Sequence, residues 1–150
     1  MLTLIAKSPH PDLSQAQDTI ALTAEERQRS FYRCTSEQGQ SMKINLKRGT
    51  VLCDGDLLLT EADANTEPIK VAIAAKPEPV ITVTAEHPLH LLKAAYHLGN
   101  RHVALEVTET YLRLTPDPVL RDMLTKMPVT ITDAIAPFHP ETGAYHHRHG

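Results

Sequence analysis

Residues 80–131 read VITVTAEHPLHLLKAAYHLGNRHVALEVTETYLRLTPDPVLRDMLTKMPVTI, and the order of patterns in this stretch decides the fold. Residues 80–84 are rich in β-branched side chains and predict a strand. Residues 88–98 predict a helix: Pro88 suits a first turn, and Leu91, Leu92, Ala95 and Leu98 recur at helical spacing. Gly99 is the expected stop, since glycine readily takes the left-handed conformation just past a helix end. Residues 103–107 alternate as a strand, with residues 111–114 as the hairpin partner. Asp117 then caps a second helix with Pro118 at its first position, and Val119, Leu120, Met123 and Leu124 form its apolar face. Pro128 ends that helix, and residues 129–131 form a last strand. The order β-α-β-β-α-β is the split βαβ, or ferredoxin-like, pattern.

Working toward the N-terminus, the pattern breaks at Ala75-Lys76-Pro77-Glu78-Pro79, where two prolines within three residues interrupt regular structure. Before the break the chain reads as β structure. Residues 2–6, 30–35, 42–46, 57–60 and 69–75 are strand-like, and Gln38-Gly39, Arg48-Gly49 and Asp54-Gly55 mark turns between them. Short strands at near-regular spacing suggest a small sandwich or barrel. Thr23-Ala24-Glu25-Glu26 is a capping box that opens one helical turn. The expected class is therefore α+β: an all-β domain over residues 1–75, a ferredoxin-like domain over 76–136, and a flexible, His-containing tail over 137–150.

Of the 150 residues, 41% are hydrophobic and 22% charged, the balance of a globular protein. Two half-sized domains are each marginal alone, which favours oligomerisation. A net charge of -3 argues against a nucleic-acid groove. The apolar runs are too short to span a bilayer, and Lys7 and Pro9 interrupt any signal-peptide pattern, so a cytoplasmic protein is expected. Cys34 and Cys53 lack the paired spacing of a zinc site and are read as reduced, partly buried thiols. The Asp and Glu residues are read as scattered over the surface. No nucleophile elbow, phosphate loop or His-Glu-x-x-His motif is present.

The chemistry rests on histidine, of which there are nine. His10 lies between two prolines and is read as exposed and inert. His87 and His90 are read as a solvated helix start, and His97 as a favourable charge beside a helix C-terminus. His102 follows Gly99-Asn100-Arg101 in a tight connection between helix and strand, where rigid elements on both sides would hold a ligand. One histidine cannot hold a metal, but on a two-fold axis one residue per subunit supplies two ligands. His146, His147 and His149 crowd the C-terminus, and a His-rich terminus reads as metal binding. Imidazole suits nickel, copper and zinc alike.

At Tyr96-His97-Leu98-Gly99-Asn100-Arg101-His102-Val103 the chain closely resembles the UreE family of urease accessory proteins. The likeness extends in order through Leu22-Thr23-Ala24-Glu25-Glu26-Arg27, through the stretch from Arg48 to Leu58, and from Val119-Leu120 to Asp122-Met123-Leu124. It closes with Ala136-Pro137-Phe138 and Gly143-Ala144-Tyr145. The resemblance implies a nickel chaperone rather than an enzyme: a homodimer joined through the second domain, with Ni(II) between the two copies of His102 and tail histidines completing the site. It also implies nickel supply by the accessory GTPase of urease maturation and delivery to the apo-urease complex. Many members carry a histidine where this chain has Pro118, and some have longer His-rich tails. Both departures imply few metal ions per dimer. Zn(II) and Cu(II) compete for such a site. A general zinc or copper buffer, or a protein-interaction module with an incidental His tail, are the alternative readings of the residues.

Overall fold

The computed structural model describes residues 1–142. The chain divides into two compact units, Met1–Lys76 and Pro77–Gly150.

The first unit holds six strands: β1 (Leu2–Lys7), β2 (Asp18–Leu22), β3 (Phe31–Thr35), β4 (Ser41–Asn45), β5 (Leu57–Thr60) and β6 (Lys70–Ala75). They form one sheet in the order β2-β6-β5-β1-β4-β3. The β1–β4 and β2–β6 pairs are parallel and the others antiparallel. The two ends of the sheet meet just past β3, where the Glu37 N–H donates to the Thr19 carbonyl at 2.8 Å. The Gln38 N–H donates to Asp18 Oδ1 at 3.3 Å beside it. The sheet thus rolls toward a barrel around Leu4, Ile20, Leu22, Met42, Ile44, Leu58, Val71 and Ile73, all buried. Gly39, in the β3–β4 turn, has φ +84°, a conformation that favours glycine.

Strand β2 was not among those expected. Its buried positions are Asp18, Ile20 and Leu22. A carboxylate at the first inward position hides the two-residue period in so short a strand.

The capping box forms as expected. The Thr23 N–H donates to Glu26 Oε1 at 2.9 Å, and the Glu26 N–H donates to Thr23 Oγ1 at 3.2 Å. The turn it opens is a 3₁₀ turn, Glu26–Gln28. Tyr32 donates its hydroxyl to the other Glu26 oxygen.

The second unit comprises β7 (Glu78–Thr84), α1 (Pro88–Gly99), β8 (Glu106–Val107), β9 (Leu112–Leu114), α2 (Pro118–Thr125) and β10 (Thr130–Ala136). Its sheet order is β10-β7-β9-β8, all antiparallel. Asp117 caps α2, accepting from the N–H groups of Val119 at 2.8 Å and Leu120 at 3.0 Å. Both helices pack on the sheet through one core: Ile81 and Val83 from β7, Leu91, Ala94 and Leu98 from α1, Leu112 and Leu114 from β9, and Leu120 and Leu124 from α2.

Several expected boundaries move. Strand β7 starts at Glu78, inside the proline-rich break. Pro79 pairs with Ile135 of β10, while β9 pairs only with residues 81–83, so the missing proline N–H costs no ladder bond on the β9 side. Strand β10 runs to Ala136 rather than residue 131. Strand β8 is only two residues long, and residues 103–105, expected to belong to it, are not in a strand. Leu92, expected on the core face of α1, is 67% exposed, and Ala94 takes its place. Residues 137–142, expected to begin a flexible tail, are held instead. Phe138 is fully buried, and the Glu141 N–H donates to the Leu105 carbonyl at 2.8 Å. A buried aromatic ring together with these backbone bonds holds a stretch whose polar composition reads as free.

Burial works to raise the Glu26 carboxyl, but hydrogen bonds from Tyr32 and Thr23 and the positive Lys76 outweigh it and hold the group below its ordinary 4.5. A carboxyl lowered on folding adds stability above its unfolded value and loses it as pH falls through the folded one. Urea unfolding is therefore expected to find the wild type more stable than Glu26→Gln at about pH 7, with the gap shrinking below about pH 4. A gap that persists unchanged at low pH would show that the charge contributes nothing.

Candidate metal centre

The sequence points to His102, and the structure gives that residue a distinct backbone. Helix α1 continues through Gly99, which stays helical, and closes with tightened turns. The Arg101 N–H donates to the Leu98 carbonyl and the His102 N–H to the Gly99 carbonyl, both at 3.1 Å. His102 then takes φ +56°, the one positive φ outside glycine among the described residues. The left-handed position expected at Gly99 falls instead on the histidine. Histidine is among the residues that tolerate this region better than most, but at a cost of roughly 1 kcal/mol. The turn leaves His102 exposed, between Leu98 in the core and Leu105 in the core. Arg101 reaches α2, its Nε donating to the Met123 sulfur at 3.1 Å. The loop is thus tied to both helices.

The other eight histidines divide as follows, with His139 exposed and its backbone N–H bonded to Glu106. His10 is exposed. His87 and His90 stand edge to face, with ring centroids 5.3 Å apart. His97 lies in the last turn of α1, its ring 5.3 Å from that of Tyr96. His146, His147 and His149 lie outside the described residues. Among the described residues no three His, Cys, Asp or Glu side chains gather as a metal-binding group. His102 is therefore not joined by a ligand set within the described fold. Burial pushes the Cys34 thiol up, with Glu26 adding to the effect, which disfavours the thiolate a metal needs. Cys53, expected partly buried, is exposed.

Two features near His102 escape a reading of the sequence. The first is the apolar stripe of Leu89, Leu92 and Tyr96 on α1, at 56%, 67% and 66% exposure. Their spacing of three and four puts them on one helix face, opposite the buried one. The second is Glu106. Taken as one of the scattered surface acids, it is in fact buried, and it bonds the His139 N–H and the Tyr111 hydroxyl. The available signal was its position between Leu105 and Val107, an acid inside a strand-like run.

Known sequences match this chain along nearly its whole length. The family model for the UreE urease accessory protein, C-terminal domain, matches residues 78–150, and that for the N-terminal domain matches residues 3–69. The urease accessory protein UreE of Nostoc sp. is 53% identical over 150 residues, covering 99% of each chain. That of Microcystis aeruginosa is 54% identical over 144 residues, covering 96% of this chain and 87% of its own. That of Burkholderia lata is 41% identical over 150 residues, covering 99% of this chain and 66% of its own. These matches define an accessory protein of urease maturation, not an enzyme. The chain belongs to the UreE family.

The left-handed backbone at position 102 has a measurable consequence. His102→Gly relieves the strain and His102→Ala keeps it, so the glycine variant is expected to be the more stable of the two by about 1 kcal/mol in chemical denaturation. Equal stabilities, or a more stable alanine variant, would show that the turn relaxes when the ring is removed.

Proposed function

We propose that this chain is a homodimeric nickel carrier that binds Ni(II) between the two copies of His102 and delivers it for assembly of the urease active site. The observation that carries the reading is His102 itself: an exposed imidazole on a left-handed turn, braced by α1 and α2, with no ligand group assembled around it among the described residues. A single rigid ligand is useful when a two-fold axis doubles it. The exposed stripe of Leu89, Leu92 and Tyr96 lies on the helix that leads into this turn and supports a second copy as the partner. Strand order β10-β7-β9-β8 supports reading this unit as the ferredoxin-like, metal-binding domain.

Remaining ligands come from His146, His147 and His149. His146 follows Glu141 by five residues, a reach of about 17 Å for extended chain. Glu141 is bonded to Leu105, three residues from His102. The tail histidines therefore start within range of the anchor. Nickel suits an imidazole set, though zinc and copper do too. The names of the relatives, urease accessory proteins, support urease maturation as the setting, and nickel as the cargo is what the resemblance to that family implies. Supply by the accessory GTPase and delivery to the apo-urease complex follow from the same reading, with the N-terminal sheet unit as the partner-binding domain and the cytoplasm as the setting.

Nickel titration calorimetry with light scattering tests this directly. The wild type is expected to be a dimer with a tight site at less than one ion per chain, and His102→Ala to remain dimeric while losing that site. Unchanged nickel binding in the variant would assign His102 a structural role only and place the metal elsewhere.

A further inference from the structure

Helix α1 begins with two histidines whose rings the fold does not use. His87 stands at the N-cap, the position that Ser, Thr, Asp and Asn fill by accepting a helix N–H, yet its side chain caps nothing. His90 follows within the first turn, and its N–H donates to the His87 carbonyl at 3.0 Å. That bond and the spacing of three residues bring the rings edge to face, with centroids 5.3 Å apart and planes at 87°. His87 is exposed and His90 half-buried. Neither ring makes a hydrogen bond or ion pair with any described residue. A neutral imidazole carries one nitrogen lone pair, and here two such rings stand side by side with nothing bound to either.

The spacing fits a shared ion. An imidazole nitrogen binds a divalent transition ion at about 2.1 Å, which places the ring centroid roughly 3.2 Å from the metal. Two such ligands side by side on one ion then hold their centroids about 4.5–5.2 Å apart, from a right angle to a tetrahedral one. The outer torsion of histidine is soft, so turning a nitrogen toward the ion costs little. We propose that His87 and His90 form a second metal site, a two-imidazole chelate for a divalent ion of the nickel, copper and zinc class, present once in each chain. No third His, Cys, Asp or Glu joins the pair among the described residues, so water or a donor from another molecule completes the shell. A bound ion also faces the positive end of the α1 dipole, which weakens its hold. Both features suit a site that keeps an ion briefly. The 12 residues of α1, about 18 Å of helix, lead from this pair to the turn at His102. The chelate needs neither a two-fold axis nor His102, and it stands or falls apart from the carrier reading.

The test uses the full chain with Cu(II) alone as the probe, because copper binds such ligands most tightly of these ions and broadens the NMR signals of nearby amides. Wild type and His102→Ala are titrated, each with and without His87→Ser or His90→Ala. Serine supplies a capping hydroxyl at the helix start and alanine favours helix, so both variants are expected to keep α1. The expected result is broadening around residues 86–91 with or without His102. Removing either ring is expected to weaken that local binding about a hundredfold, because the second bond of a chelate is intramolecular. No local broadening in the His102→Ala chain overturns the proposal. So does broadening that survives unchanged in either single variant, since one imidazole would then bind alone. The amide spectrum reports whether each variant folds, and either substitution carries the comparison by itself. The carrier reading fails separately, on nickel binding that survives His102→Ala.

Discussion

Strand β7 lies between β10 and β9, and everything around His102 depends on that placement. Its pairing with β10 is unbroken from Thr130↔Thr84 to Ala136↔Glu78. Its other edge pairs with β9 over residues 81–83 only. The inner strand therefore supplies Ile81 and Val83 to the core beneath both helices, and that core fixes where α1 ends. The long ladder also carries β10 past the end of β9's pairing and brings Phe138 to the region of Leu105 and Glu106. Had the last strand stopped at residue 131, the chain would leave the sheet far from the turn at His102. The register of one strand pair thus brings residues 138–141 beside residues 105–106.

Features determined by neighbours in sequence were legible before the structure. The reciprocal Thr23–Glu26 bonds, the Asp117 cap with Pro118 behind it, and the span of α1 all follow from short-range chemistry. Features that depend on distant residues were not. Leu92 and Ala94 both fit a helical period, and only the sheet beneath α1 decides which is buried. Strand β2 needs β6 to define its buried face. Phe138 reads as part of a polar tail until the core accepts it.

The candidate site divides along the same line. The sequence singles out His102 because a tight helix-to-strand connection would hold a ligand rigidly, and because its flanking residues resemble a family. Its left-handed backbone was not legible, because Gly99 nearby offered a better residue for that conformation. Gly99 stays in the helix, two tightened turns follow it, and the left-handed residue falls three positions later on His102. Backbone strain of this kind persists where the surrounding structure over-determines it. Here Leu98 and Leu105 anchor the turn on both sides, and Arg101 ties it to Met123.

That combination bears on how a carrier differs from a storage or structural site. A structural metal site closes its coordination shell with ligands from the fold, and the metal's binding energy becomes folding energy. On the proposed reading, the fold commits one imidazole per chain to a stiff turn and leaves the remaining ligands to a segment anchored a few residues away. The rigid pair would then set where the ion binds, while the tethered ligands set how long it stays. Affinity would be tuned by tether length and anchoring rather than by the anchor's own geometry.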